Sequence, residues 1–351
     1  MNFRKTSTQF LSLGLALTAL ALLSVRPAAA QNLTGAGSTF VYPAMARWAA
    51  DFQQAHPNVK INYQSIGSGA GIQQVRNHTV DFGASDVALS DAQLKEMPAV
   101  VQIPEVAGPV CIAYNLPMLH QPLKLTPAAL SGIYLGTITR WNDPAIAQSN
   151  PGVNLPGSAV LVAHRSDGSG TTGIFTTYLA TVNGEWKQRV GSGISVNWPV
   201  GLGGKGNEGV TGVIKQVAGG IGYVELAYAL ENHLPMAAIE NASGQFVIPS
   251  PAGVAAAIEA NRAVLARDVR TPIVNAPGAS SYPISGFTFL ILPKDGNNPQ
   301  SRQALKNFVA YILAGGQATA AALHYSPIPA AMQVLDRKLL AQLTVNGKPL
   351  R

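Results

Sequence analysis

The chain has 351 residues, 47% hydrophobic and 12% charged, with a formal charge of +7 from 24 basic and 17 acidic residues. It contains no run of five or more lysines and arginines, so nucleic-acid binding has little support. The single cysteine, Cys111, excludes an internal disulfide framework, and six dispersed histidines without HxxxH or CxxC spacing speak against a structural metal site.

The N-terminus reads "MNFRKTSTQFLSLGLALTALALLSVRPAAAQ". Arg4 and Lys5 precede an apolar stretch from Phe10 to Leu23, and Ala28-Ala29-Ala30 offers a small-residue cleavage site, which is the layout of a secretory signal peptide. The 14-residue apolar run falls short of the roughly 20 needed to span a bilayer. Cleavage after Ala30 is expected, and Gln31 in place of cysteine rules out lipid attachment there. Loss of Arg4, Lys5 and Arg26 takes the charge to +4, leaving a periplasmic chain.

Downstream, "VKINYQSIG" (59–67) predicts a strand, "AGIQQVRNHTV" (70–80) a helix, and "VDFGASD" (80–86) a strand ending in a turn. "PVCIAYNLP" (109–117) is a strand in which Cys111 reads as a packed core thiol. "TPAALSGIYLG" (126–136) is a helix with proline near its start. "SAVLVAH" (158–164) is a strand, a helix follows over 208–218, and "GGIGYVEL" (219–226) is again a strand. "GFTFLILP" (286–293) precedes the helices "SRQALKNFVAYILAGG" and "ATAAAL". The alternation predicts an α/β architecture with largely parallel sheets, and the length favours two lobes over one core.

Three glycine-rich turns share one grammar of strand, glycines with Ser or Thr, then helix: "GAGSTF" (35–40), "GSGAG" (67–71) and "DGSGTTG" (167–173). The first amides of a helix lack internal partners and carry the positive end of its dipole, so such turns bind anions. Arg165 and Asp167 stand just ahead of the third turn.

Gly168, Gly170 and Gly173 spell G-x-G-x-x-G, but no acidic strand end follows about 20 residues later, as a dinucleotide site requires. "GLGGKGNEG" (201–209) has Gly206 where a P-loop has Ser or Thr after its lysine, and reads as a turn and helix start of unassigned role. No nucleophile with a base is evident, which speaks against an enzyme. His164, beside Arg165, reads as structural because the adjacent cation disfavours its protonation.

"LTGAGSTFVYPAMARWA", "NYQSIGSGAGIQQV", "NHTVDFGASDVALSD", "IYLGTITRWNDPAI", "HRSDGSGTTGIFTTYLA", "NWPVGLGGKGNEGV", "GGIGYVELAYA" and "YPISGFTFLIL" occur in register and span essentially the whole chain after residue 30. They resemble the periplasmic phosphate-binding receptors of bacterial ABC-type phosphate importers. The resemblance implies a two-lobed, type II-like periplasmic binding protein fold with its ligand cleft between the lobes. Lobe I would comprise 31–106 plus 277–351, and lobe II 107–276. It implies that Thr39, Phe40, Ser68, Asp86, Arg165, Ser169, Gly170 and Thr171 bind inorganic phosphate. Asp86 would accept a phosphate proton and Asp167 would orient Arg165. The receptor would be a monomer without cofactor that delivers its ligand to a membrane permease. Another tetrahedral oxyanion such as sulfate, a small phosphate ester, or a secreted phosphatase using the same pocket are the competing readings.

Overall fold

The computed structural model describes residues 31–350; the predicted signal peptide, residues 1–30, lies outside the described residues. In chain order the first elements are β1 (Gln31–Gly37), α1 (Tyr42–Ala55), β2 (Val59–Ser65), α2 (Ser68–Arg76), β3 (Phe82–Ser85), α3 (Asp91–Glu96) and β4 (Val100–Tyr114). Next come β5 (Lys124–Leu125), α4 (Pro127–Leu135), α5 (Pro144–Ala147), β6 (Leu161–Arg165), α6 (Gly170–Val182), α7 (Gly184–Arg189) and β7 (Leu202–Gly204). They are followed by α8 (Gly206–Gln216), β8 (Gly220–Glu225), α9 (Leu226–Glu231), β9 (Ala238–Glu240), β10 (Phe246–Val247), α10 (Pro251–Ala260) and α11 (Arg262–Leu265). The last are β11 (Ser285–Pro293), α12 (Pro299–Ile312), α13 (Gly316–Ala322), α14 (Ala330–Leu340), β12 (Thr344–Val345) and β13 (Lys348–Pro349).

Local chemistry explains many boundaries. At α4 the Thr126 hydroxyl accepts the Ala129 amide, Pro127 sits in the first turn, and Gly136 ends the helix in the left-handed region at φ 77°. In α1 the buried residues Ala44, Met45, Trp48, Ala49 and Phe52 fall on one helical face, and the Trp48 indole donates to the Gly316 carbonyl at 2.7 Å.

Eight strands form one sheet in the order β2-β1-β3-β11-β4-β8-β6-β7. The outer neighbours β1–β2, β1–β3, β6–β7 and β6–β8 are parallel, as expected, but β3–β11, β11–β4 and β4–β8 are antiparallel. The sheet is therefore mixed. A continuous apolar run marks a buried strand without encoding its direction. Strand β11 returns from the C-terminal part of the chain and inserts antiparallel between β3 and β4.

Strand β4 has 15 residues and begins at Val100, well ahead of the start at 109 expected from sequence. Its residues 100–109 pair with β11, whereas Val110–Tyr114 pair with β8. One strand thus carries the chain from one half of the sheet to the other. Thr288 pairs with Val106 and Phe289 with Pro104, so Glu105 is the extra residue of a bulge in this crossing strand. Cys111 is buried in β4, as expected for a core thiol, and burial pushes its pKa up.

Candidate functional site

Four helix starts meet, not three. The chain enters α1 through Ser38-Thr39-Phe40-Val41, α2 after Gly67, α6 after Ser169 and α8 after Lys205. The first, second and fourth lack a side-chain cap, which leaves their leading amides for other partners; in α6 the Ser169 hydroxyl accepts the Thr172 amide at 3.0 Å.

Glycine makes the meeting possible at two points. Gly67 has φ 91°, and a Cβ there would lie 2.4 Å from Asp167 Oδ2 and 2.8 Å from the Gly168 carbonyl oxygen. A Cβ on Gly170 would sit 2.6 Å from Asp86 and from the Ser68 hydroxyl. Any side chain at either position drives the second and third turns apart.

One hydrogen-bonded network runs through the residues singled out from sequence. The Ser68 hydroxyl accepts the amides of Asp86 (3.2 Å) and Gly170 (3.1 Å). The Thr171 hydroxyl donates to Asp86 Oδ2 at 3.2 Å, and the Ser38 hydroxyl donates to Asp86 Oδ1. Arg165 forms a fork on Asp167, with Nε to Oδ1 at 2.7 Å and Nη2 to Oδ2 at 2.6 Å, while Nη1 reaches the Thr171 hydroxyl at 3.4 Å. Thr39 Oγ1 accepts both the backbone amide (3.1 Å) and the side-chain amide (2.8 Å) of Asn207. Phe40 is fully buried, and its carbonyl accepts from the Tyr325 hydroxyl at 2.7 Å. Thr39, Ser68, Asp86, Arg165, Ser169 and Thr171 are each at most 4% exposed.

Ser38 and Asn207 were not anticipated. Ser38 lies inside "GAGSTF", next to the expected ligands Thr39 and Phe40. Asn207 belongs to the 201–209 turn, which repeats the same strand–glycine–helix grammar and whose role the sequence had left open. The structure supplies that role: the Gly206 amide donates to Asp167 Oδ1 at 3.0 Å, and Asn207 ties Thr39 to the Glu225 amide. The His164 ring stacks on Trp198 at 4.9 Å between centroids, and its Nδ1 lies 3.0 Å from the Arg165 carbonyl oxygen.

The electrostatics are arranged around two carboxylates. Burial is the largest influence on Asp86 and pushes its pKa up to about 6, against the opposing pull of the Ser38 bond, the Arg165 charge and the Thr171 bonds. For Asp167 burial also pulls upward, but the Arg165 hydrogen bonds and charge outweigh it and hold the carboxyl below its ordinary value. Asp167 therefore stays ionised and offsets the Arg165 charge. Asp86 is a buried acceptor poised close to neutrality. Such a set suits a small oxyanion that still carries a proton. Among the described residues, no group of three or more His, Cys, Asp or Glu could hold a metal ion.

The PBP superfamily domain matches residues 24–315, most of the chain. The chain is thus a member of the periplasmic-binding-protein superfamily, with two α/β lobes and a ligand cleft between them. It is 45% identical over 299 residues to the phosphate-binding protein PstS of Xylella fastidiosa strain Temecula1, covering 85% of this chain and 82% of that one. With the PstS of Pasteurella multocida strain Pm70 it shares 44% identity over 320 residues, 91% and 92% of the two chains. The chain belongs to the PstS family of phosphate-binding proteins, which are binding proteins and not enzymes.

Solved structures agree on the fold. A high-affinity periplasmic phosphate-binding protein bound with phosphate superposes with a TM-score of 0.71 at 23% identity, covering 90% of this chain and 96% of that one. The phosphate-binding protein from Stenotrophomonas maltophilia gives 0.70 at 19% identity, with the same coverage.

Proposed function

We propose that this chain binds inorganic phosphate in the periplasm and hands it to the permease of an ABC-type importer. The observation that carries the reading is Asp86, a buried carboxylate that accepts from the Ser38 and Thr171 hydroxyls beside the Arg165 charge; its proposed role is to accept the phosphate proton. Thr39, Phe40, Ser68, Ser169 and Gly170 complete the proposed ligand set, with Asp167 holding the Arg165 fork. Burial of these side chains favours the small free ion over a bulkier phosphate ester.

Two lobes, 31–106 with 277–351 and 107–276, would close on the anion, with β4 as one crossing and the segment that precedes β11 as the other. The protein would act as a monomer, after export and cleavage behind Ala30. The names of its relatives support the ligand, and the N-terminal pattern supports the export. Calorimetric titration of protein freed of bound anion should give one phosphate per chain. Absence of phosphate binding by a folded sample would overturn the reading.

A further inference from the structure

Phe287 and Phe289 flank Thr288 along β11 and so point to the face opposite it. There they pack with Ala107 of β4, Val254 and Ile258 of α10, Leu265 of α11 and Ile328. Beside this cluster, between α10–α11 and α14, lies a cavity of about 350 Å³. Its apolar walls include Ile258, Leu265, Val269, Met332 and Leu335. The volume is at the lower end of the roughly 300–1,000 Å³ typical of small-molecule pockets.

Of the charged residues in this lining, only Asp336 is buried. Asp336 is 1% exposed and lines the cavity, and its Oδ2 is buried without a hydrogen-bond partner among the described residues. Burial pushes the Asp336 pKa up to about 7, with Arg337 pulling it down. The other charged groups lining the cavity are Glu259 of α10, Arg262 of α11 and Lys338 of α14. Glu259 and Arg262 already pair with each other at 3.4 Å.

We propose that this cavity is a second ligand site, taking a small apolar molecule with one primary ammonium group that donates to Asp336. The hydrocarbon part packs on Ile258, Leu265 and Met332. A buried carboxylate is satisfied by a charged donor, whereas an anionic ligand would face it with like charge. Lys338 disfavours a second positive charge, so a monoamine fits and a polyamine does not. The site is separate from the oxyanion network and does not depend on what that network binds.

The test is calorimetry with phenethylamine on the full chain, with phenethyl alcohol and 3-phenylpropionate as comparators. The amine should bind with a Kd of about 1 mM or tighter, and the alcohol about tenfold more weakly, as expected for loss of a charge-assisted bond. The carboxylate should not bind. Asp336→Asn should weaken the amine by about the same tenfold. Val269→Trp, which fills the cavity, should abolish binding while phosphate binding persists. No amine binding at about 10 mM, an alcohol as tight as the amine, or unchanged amine binding by either folded variant would each overturn the proposal. The comparison of amine with alcohol on the unsubstituted chain decides even if Asp336→Asn fails to fold.

Discussion

At Asp86 the chain places a carboxylate among hydroxyls and amides where water is excluded. An ionised carboxylate can only accept hydrogen bonds, so an anion held beside it, as proposed, would have to bring a proton. Phosphate near neutral pH retains one; sulfate does not, and would present bare oxygens to a like charge. Replacing Asp86 with asparagine turns the repelling oxygen into an amide that can donate. Asp86→Asn should therefore lower the phosphate-to-sulfate affinity ratio by at least about tenfold, most of it through tighter sulfate binding. Competitive calorimetry with both ions on both proteins measures this, and an unchanged ratio would show that Asp86 is not the proton acceptor.

Among the elements, β4 holds a second buried acid. Glu105 is fully buried at the bulge; its Oε1 accepts the Thr288 hydroxyl at 3.0 Å, and its Oε2 has no partner among the described residues. Burial is the main cause that pushes its pKa up to about 8; the Thr288 bond lowers it and the nearby Asp86 charge raises it. The folded protein holds this proton more tightly than the unfolded chain, whose glutamate titrates near 4.5. The corresponding stability is fully present below about pH 4.5 and is lost as pH rises through about 8. Glu105→Gln does not titrate, so its stability relative to the unsubstituted protein should grow between pH 5 and pH 8 by about 1–3 kcal/mol. Urea midpoints at the two pH values give the answer, and a pH-independent difference would contradict it.

The same strands mark the limit of what could be read from sequence. "HRSDGSGTTG" is legible because its chemistry is local: an arginine, an aspartate two residues on, and a capped helix start. "PEVAG" around Glu105 is not, because the bulge depends on register with a strand about 180 residues away. Asn207 was missed for a related reason. Its turn had the right grammar, but its partner Thr39 lies 168 residues earlier in the chain. The antiparallel insertion of β11 is likewise a tertiary choice that its apolar run does not express.

For the whole molecule, the network joins the two halves of the sheet that β4 links. Thr39, Ser68 and Asp86 come from one side of β4, and Arg165, Gly170, Thr171 and Asn207 from the other. If phosphate completes this network, the ligand should favour the closed arrangement. Protein freed of anion should then scatter as a larger particle than the phosphate complex, and its melting temperature should rise with phosphate concentration. Identical scattering curves from verified anion-free and loaded samples would argue against closure.

The central claim is that a buried acceptor, and not positive charge, chooses the anion. It is tested most directly by displacing phosphate with sulfate from the unsubstituted protein at pH 7.5, where Asp86 is mostly ionised. An unpaired buried acceptor beside a like charge costs about 3 kcal/mol, so sulfate should bind at least about 100-fold more weakly than phosphate. Sulfate binding as tight as phosphate, or tighter, would contradict the account.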